Sequence, residues 1–261
     1  MVEARRVSIA EADPYLLFGL LGKQVIHPGG RKATEELLGL AALAPNQRVL
    51  DIGCGVGTTA VAMAQLFKVT VTAADLSADM LDRAAANVDA AGVRDRVSVE
   101  AADICALPYP DGHFDRVVAE AVTMFVDRDQ AISELVRVCR PGGLVLATEF
   151  QWRKPPTPEA RQTFVGEVCP GMLFETVDDW LGRYNSAGLV DLQVRTGPFE
   201  MMTARGFFSD EGIGNAIRVM ARAMASGAAR HRIAWMMPRI SRAVPFLGYV
   251  LICGRRAGND G

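Results

Sequence analysis

The stretch that most constrains this chain is Val49-Leu50-Asp51-Ile52-Gly53-Cys54-Gly55-Val56-Gly57. A β-rich run ends in an acid and turns through glycines at alternate positions into an alanine-rich helical segment, residues 58–67. Glycines in such a turn let a ligand approach the backbone where any Cβ would collide. The rhythm then repeats. Residues 69–74 form a second β-branched run closing at Asp75. Residues 77–91 read as a helix with Ser77 as N-cap and Met80, Leu81, Ala84 and Val88 as its apolar stripe. Residues 97–100, 116–119 and 144–147 supply three more strands, the last after a turn at Pro141-Gly142-Gly143. Strand and helix in alternation specify a parallel, doubly wound α/β sheet, whose right-handed crossovers bring ligands to the carboxyl ends of the strands.

Outside residues 46–150 the rhythm changes. Residues 1–45 read as a helical N-terminal cap, broken at His27-Pro28-Gly29-Gly30, with a helix from Thr34 to about Leu43. Residues 151–200 hold the second half of the sheet: a proline-containing connection over 151–175, a helix over 177–187 and a sixth strand over 189–195. Residues 201–247 are a methionine- and arginine-rich insertion, and residues 248–261 carry a seventh strand and a tail. An insertion between two terminal strands cannot lie in the sheet, so a helical lid over it is expected. Its Ile213, Ile217, Met220 and Met224 recur at helical spacing, which suits an adaptable apolar wall.

Composition removes several function classes. Half of the 261 residues are hydrophobic and the formal net charge is −2, so the chain is neither disordered nor built for wholesale binding to nucleic acid. The five cysteines form no C-x-x-C pair, which fits a reducing compartment and offers no metal site. Residues 1–10 lack the apolar run of a secretory signal, and residues 233–253 are interrupted by Arg239, Arg242 and two prolines. A cytoplasmic protein without a transmembrane segment is expected. Nine arginines against Asp210 and Glu211 between Arg205 and Arg256 leave peripheral contact with a membrane surface open.

The acid two residues before the first glycine would repel a pyrophosphate but suits an ammonium or sulfonium group, and the dinucleotide spacing G-x-G-x-x-G is not met. Asp75 stands where a carboxylate can accept ribose hydroxyls, and Asp103 where one can accept from an exocyclic adenine amine. These stretches, together with AADICALPYPDGHFDRVVAEAVTMFV and LVRVCRPGGLVLATEF, resemble the class I S-adenosylmethionine (SAM) dependent methyltransferases, most closely the small-molecule group that includes ubiquinone and menaquinone biosynthesis enzymes. The resemblance implies a Rossmann-like, seven-stranded, mostly parallel sheet with an antiparallel last strand. It also implies a SAM pocket formed by Asp51, Gly53, Gly55, Asp75, Leu76, Asp103, Ile104 and Glu120, with Cys54, Gly57 and Met80 from the same stretches.

Methyl transfer from a sulfonium is an in-line displacement, so positioning supplies most of the acceleration and a general base is optional. Candidates for that base are His27 in the cap, Glu149 after the fifth strand and Tyr184 on the helix before the sixth. The reading is a SAM-dependent methyltransferase acting on a small, largely apolar acceptor, with O- or C-methylation favoured. S-methylation of a thiol, a catalytically silent SAM-binding module and a nicotinamide-dependent oxidoreductase are the alternatives.

Overall fold

Seven strands form one sheet in the order β3-β2-β1-β4-β5-β7-β6. They are β1 (Arg48–Ile52), β2 (Thr70–Asp75), β3 (Val97–Ala101), β4 (Phe114–Glu120), β5 (Cys139–Trp152), β6 (Leu189–Pro198) and β7 (Leu247–Arg256). The first five are parallel, and β7 runs antiparallel to both β5 and β6. This computed structural model describes residues 8–258; the start of the cap and the last residues of the tail, 1–7 and 259–261, lie outside it. Strand order reverses between β1 and β4, and a crevice opens at such a switch point because the flanking crossovers leave on opposite faces.

The helices are α1 (Pro14–Leu21), α2 (Gly30–Leu40), α3 (Thr58–Phe67), α4 (Ala78–Ala90), α5 (Arg128–Val138), α6 (Pro158–Arg161), α7 (Val177–Ser186), α8 (Ala204–Ala225) and α9 (Gly227–Ala243). Side chains alternate across each strand. Leu50, Ile52, Val145, Ala147, Val250 and Ile252 pack on α5 and α7, whereas Val49, Val71, Leu146 and Leu251 pack on α2 and α3. A third apolar cluster joins α1, α8 and α9 to Phe150 beyond the end of the sheet.

Ser77 caps α4 by accepting from the Met80 N–H, as its position in the sequence predicts. Three elements differ from expectation. α2 begins at Gly30 rather than Thr34, because the Arg31 N–H finds its acceptor in the Asp210 carboxylate of α8 at 2.9 Å. β5 starts at Cys139, with the expected Pro141-Gly142-Gly143 turn taken up as an irregularity in its pairing with β4. The connection at 151–175 is partly helical: Thr157 caps α6, which continues into a π-helical segment, Gln162–Val168, anchored by buried Phe164 and Val168. Among the described residues no helix is long and apolar enough to cross a membrane.

Candidate active site

A cavity of about 610 Å³ lies at the carboxyl ends of β1, β2 and β4, walled by the glycine loop and by residues of the N-terminal cap. Gly53, Gly55 and Gly57 all have positive φ, between 52° and 77°, a region that L side chains rarely adopt. Gly53 is the most tightly fixed: an added Cβ would stand 2.2 Å from Val122 Cγ2. The loop is tied to β2. Gly53 N and Cys54 N donate to Ala74 O, and Gly55 N donates to Asp75 Oδ2 at 2.9 Å. Ser77 N donates to the other oxygen of Asp75 at 2.8 Å, so this carboxylate holds both the loop and the start of α4.

The cavity wall carries concentrated negative charge. Asp51, Asp75 and Glu120 all line it. Asp51 is buried and its Oδ2 has no hydrogen-bond partner. Burial first, and the charges of Glu120 and Asp75 second, hold its pKa well above the ordinary carboxylate value. Burial likewise raises Asp75, although the backbone donors at Ser77 and Gly55 oppose the shift. An orphaned carboxylate oxygen beside two further acids is expensive to ionise in a dry site, and a bound cation removes that cost. The residues therefore fit a ligand carrying an ammonium or sulfonium group. Cys54, Gly55, Leu76, Met80, Asp103 and Ile104 also line the cavity, and Asp103 Oδ1 accepts from Cys105 N in its own turn.

The far wall is built by the cap. His27 is buried, and its Nε2 stands 2.8 Å from Thr34 Oγ1. Thr34 donates its one hydroxyl proton to Glu120 Oε2 at 2.9 Å, so the ring nitrogen must be the donor in the His27 contact. Glu120 Oε1 accepts from Thr59 Oγ1 at 2.7 Å. This chain fixes the Nε2–H tautomer and leaves Nδ1 as the lone-pair nitrogen, buried and without a hydrogen-bond partner. Tyr15, Leu16, Ile26, Val122 and Phe125 add apolar groups to the cavity lining.

Three predicted site residues lie elsewhere. Gly57 is not on the wall; its Cα packs on α4, where an added Cβ would sit 3.1 Å from Ala84 Cβ. Glu149 lies within β5 rather than after it, on the same strand face as Val145 and Ala147, and so points at α7 instead of the cavity. There it accepts hydrogen bonds from Thr123 and from Tyr184, the latter at 2.8 Å, and Tyr184 is itself fully buried. The insertion contributes no cavity-lining residue: Ile213, Ile217, Met220 and Met224 are exposed on α8. What α8 supplies is a pair of buried acids. Glu211 accepts from Gln24 N and Val25 N at 3.0 and 3.1 Å and pairs with buried Lys23, and Asp210 accepts from Arg31 N. Those bonds fix the segment that carries Ile26 and His27 over the cavity. Sequence reasoning missed Thr34, Thr59 and Tyr15 as wall residues and Asp210 and Glu211 as their support, because nothing in the local pattern says which distant groups they meet.

Residues 49–143 match a family model described as a methyltransferase domain. Among relatives, methyltransferase GfsG of Streptomyces halstedii is 42% identical over 61% of this chain and 59% of its own length. The 27-O-demethylrifamycin SV methyltransferase of Amycolatopsis mediterranei is 37% identical over 60% and 59%. The chain thus spans about three-fifths of the length of both. A Haemonchus contortus phosphoethanolamine N-methyltransferase 2, solved with S-adenosylhomocysteine, superposes with a TM-score of 0.74 at 21% identity, covering 97% of this chain and 61% of that one. The cyclase SpnF superposes over 98% of this chain with a TM-score of 0.72, also at 21% identity, so the architecture by itself does not fix the reaction. The narrower resemblance to the ubiquinone and menaquinone group has no counterpart among these relatives. Family model and named relatives together support a class I SAM-dependent methyltransferase with SAM as cofactor, the match to the family model lying in residues 49–143, and the superpositions agree in fold.

Proposed function

We propose that this chain transfers a methyl group to a hydroxyl or acidic carbon of a small, largely apolar acceptor, with His27 as the base that takes the acceptor's proton. The observation that carries the reading is His27, a cavity-lining histidine whose Nε2 is held by Thr34 and whose Nδ1 has no hydrogen-bond partner. When bound, SAM supplies an electrophilic methyl carbon on a sulfonium. Asp75 would hold its ribose and Asp103 and Ile104 its adenine, on the β2 and β3 side of the sheet. Asp51 and the Gly53–Gly55 backbone would then face its charged end. His27 leans on Glu120 at the end of β4, on the opposite side of the switch point, which is the side left for the acceptor.

The chain's own part in the step is to orient, to exclude water and to move one proton. Nδ1 would accept the proton of the acceptor and so leave its oxygen or carbon as the nucleophile. Nε2–H stays bonded to Thr34, and the Glu120 carboxylate beyond that hydroxyl balances the imidazolium that forms. Apolar walls from Tyr15, Leu16 and Phe125 fit a greasy acceptor and keep the collinear geometry dry.

The test is product detection with labelled SAM against small phenol, enol and thiol acceptors, for the natural chain and for His27→Ala. The substitution should lower kcat by roughly 10²- to 10⁴-fold while the SAM dissociation constant stays within about twofold. Equal turnover in the two proteins, a preference for thiols, or no methylated product from any acceptor would overturn the proposal.

A further inference from the structure

Nine large hydrophobic side chains are exposed among the described residues. Leu66, Leu76 and Phe125 stand on the cavity wall, and Leu173 is isolated. The other five are all on α8: Phe208 at 44% exposure, Ile213 at 74%, Ile217 at 55%, Met220 at 43% and Met224 at 66%. At about 100° per residue, Ile213, Ile217, Met220 and Met224 fall within about 60° of one another around the helix. They form a ridge three turns long that stays exposed among the described residues. Such a stripe is unusual on a soluble surface and marks a contact.

The charges around the ridge say what kind of contact. α8 has two acids, Asp210 and Glu211, and both are buried against the N-terminal segment. α9 has none. Every exposed charge on the two helices is therefore cationic: Arg205, Arg218, Arg222, Arg230 and Arg242 are all exposed, and among the described residues only Arg242 of these stands in an ion pair, with Glu159. Arg222 also lies close enough to Arg83 on α4 for the two cations to repel. A second copy docking through this face would set the same arginines against each other, since a twofold interface must be complementary to itself. Bases do not stack on aliphatic side chains as they do on aromatic ones, so a nucleic acid would gain nothing from the ridge. A convex apolar ridge beside unpaired arginines is complementary to an anionic bilayer, where the side chains enter the acyl boundary and the guanidinium groups meet lipid phosphates.

We infer that the exposed face of α8 is a docking surface for an anionic lipid membrane, with Ile213, Ile217, Met220 and Met224 inserting and Arg205 and Arg218 at the headgroups. The inference is independent of the acceptor and of methyl transfer. It does connect to the site, because Asp210 and Glu211, immediately before a break in α8 at Gly212, hold the segment over the cavity.

The test is co-sedimentation of the full chain with phosphatidylcholine vesicles, with and without phosphatidylserine, at low and raised salt. The expected result is binding only to the serine-containing vesicles, weakened by salt. Arg205→Ser with Arg218→Ser should lower the partition coefficient on the order of fivefold per charge. Ile217→Ser with Met224→Ser should abolish binding and leave the melting temperature unchanged, since both side chains are exposed. Absence of binding, equal binding to neutral vesicles, or binding indifferent to the ridge substitutions overturns the inference. So does a dimer in sedimentation equilibrium that the ridge substitutions dissociate.

Discussion

Glu149→Gln tests how this fold carries a buried acid. Both hydroxyl donors, Thr123 and Tyr184, reach Glu149 Oε1, and Oε2 has no partner. That arrangement suits a neutral carboxyl, with the proton on the unpartnered oxygen. Burial pushes its pKa from an ordinary 4.5 up to about 8, and the hydroxyl bonds offset only part of the shift. Below pH 4.5 the acid is protonated in the folded and the unfolded chain alike. Between 4.5 and 8 the unfolded chain releases the proton and the folded one keeps it, so stability falls by about 1.4 kcal/mol per pH unit. Above 8 the loss is complete. Glutamine keeps the shape and the Oε1 acceptor and has nothing to ionise, so the variant lacks this slope. From about pH 5.5 to about pH 8 its unfolding free energy should gain about 3 kcal/mol relative to the natural chain. The assay is urea unfolding of both proteins across that range, in which pH effects of all other groups cancel in the difference. Parallel stability curves would refute the reasoning and show that Glu149 is ionised within the fold.

Asp75→Ala should weaken SAM by about 1.5 to 3 kcal/mol, on the order of 10- to 150-fold in the dissociation constant, because it removes the charged acceptor proposed for the ribose and also the anchor of Gly55 N and Ser77 N; isothermal titration reads it. Glu211→Ala strips the acceptor from Gln24 N and Val25 N and leaves buried Lys23 short of a partner. A loss of about 3 to 5 kcal/mol of stability is expected in chemical unfolding, together with weaker SAM binding as the segment over the cavity loosens.

The glycine loop and its three acids were legible because their chemistry is local. Asp51, Gly53 and Gly55 are fixed by the strand they end and the turn they make, and strand order then carries Asp75 and Asp103 to the same edge. The proposed acceptor side was legible only in part. His27 stood out as a histidine in a Pro-Gly-Gly turn, but that its Nδ1 is the lone-pair nitrogen follows from Thr34 and from Glu120, 86 residues away from Thr34. Glu149 was placed wrongly because the length of β5 was underestimated: once the strand runs to Trp152, alternation turns the carboxylate toward Tyr184. Helical spacing in the insertion was real, yet periodicity gives a face and not its neighbour, and the methionine stripe faces outward.

By itself, the sequence determined the alternating sheet, the anion-lined turn at its switch point and the existence of α8, since each rests on a repeat period or on the backbone freedom of glycine. Tertiary structure decided where α2 starts, which nitrogen of His27 meets Thr34, that Glu149 is buried, and that α8 grips the N-terminal segment with the acids before its break at Gly212 while the apolar side chains beyond the break face solvent. Each of these depends on a carboxylate meeting a donor far away in the chain, and a buried polar group goes where its partner is rather than where its neighbours in sequence would send it.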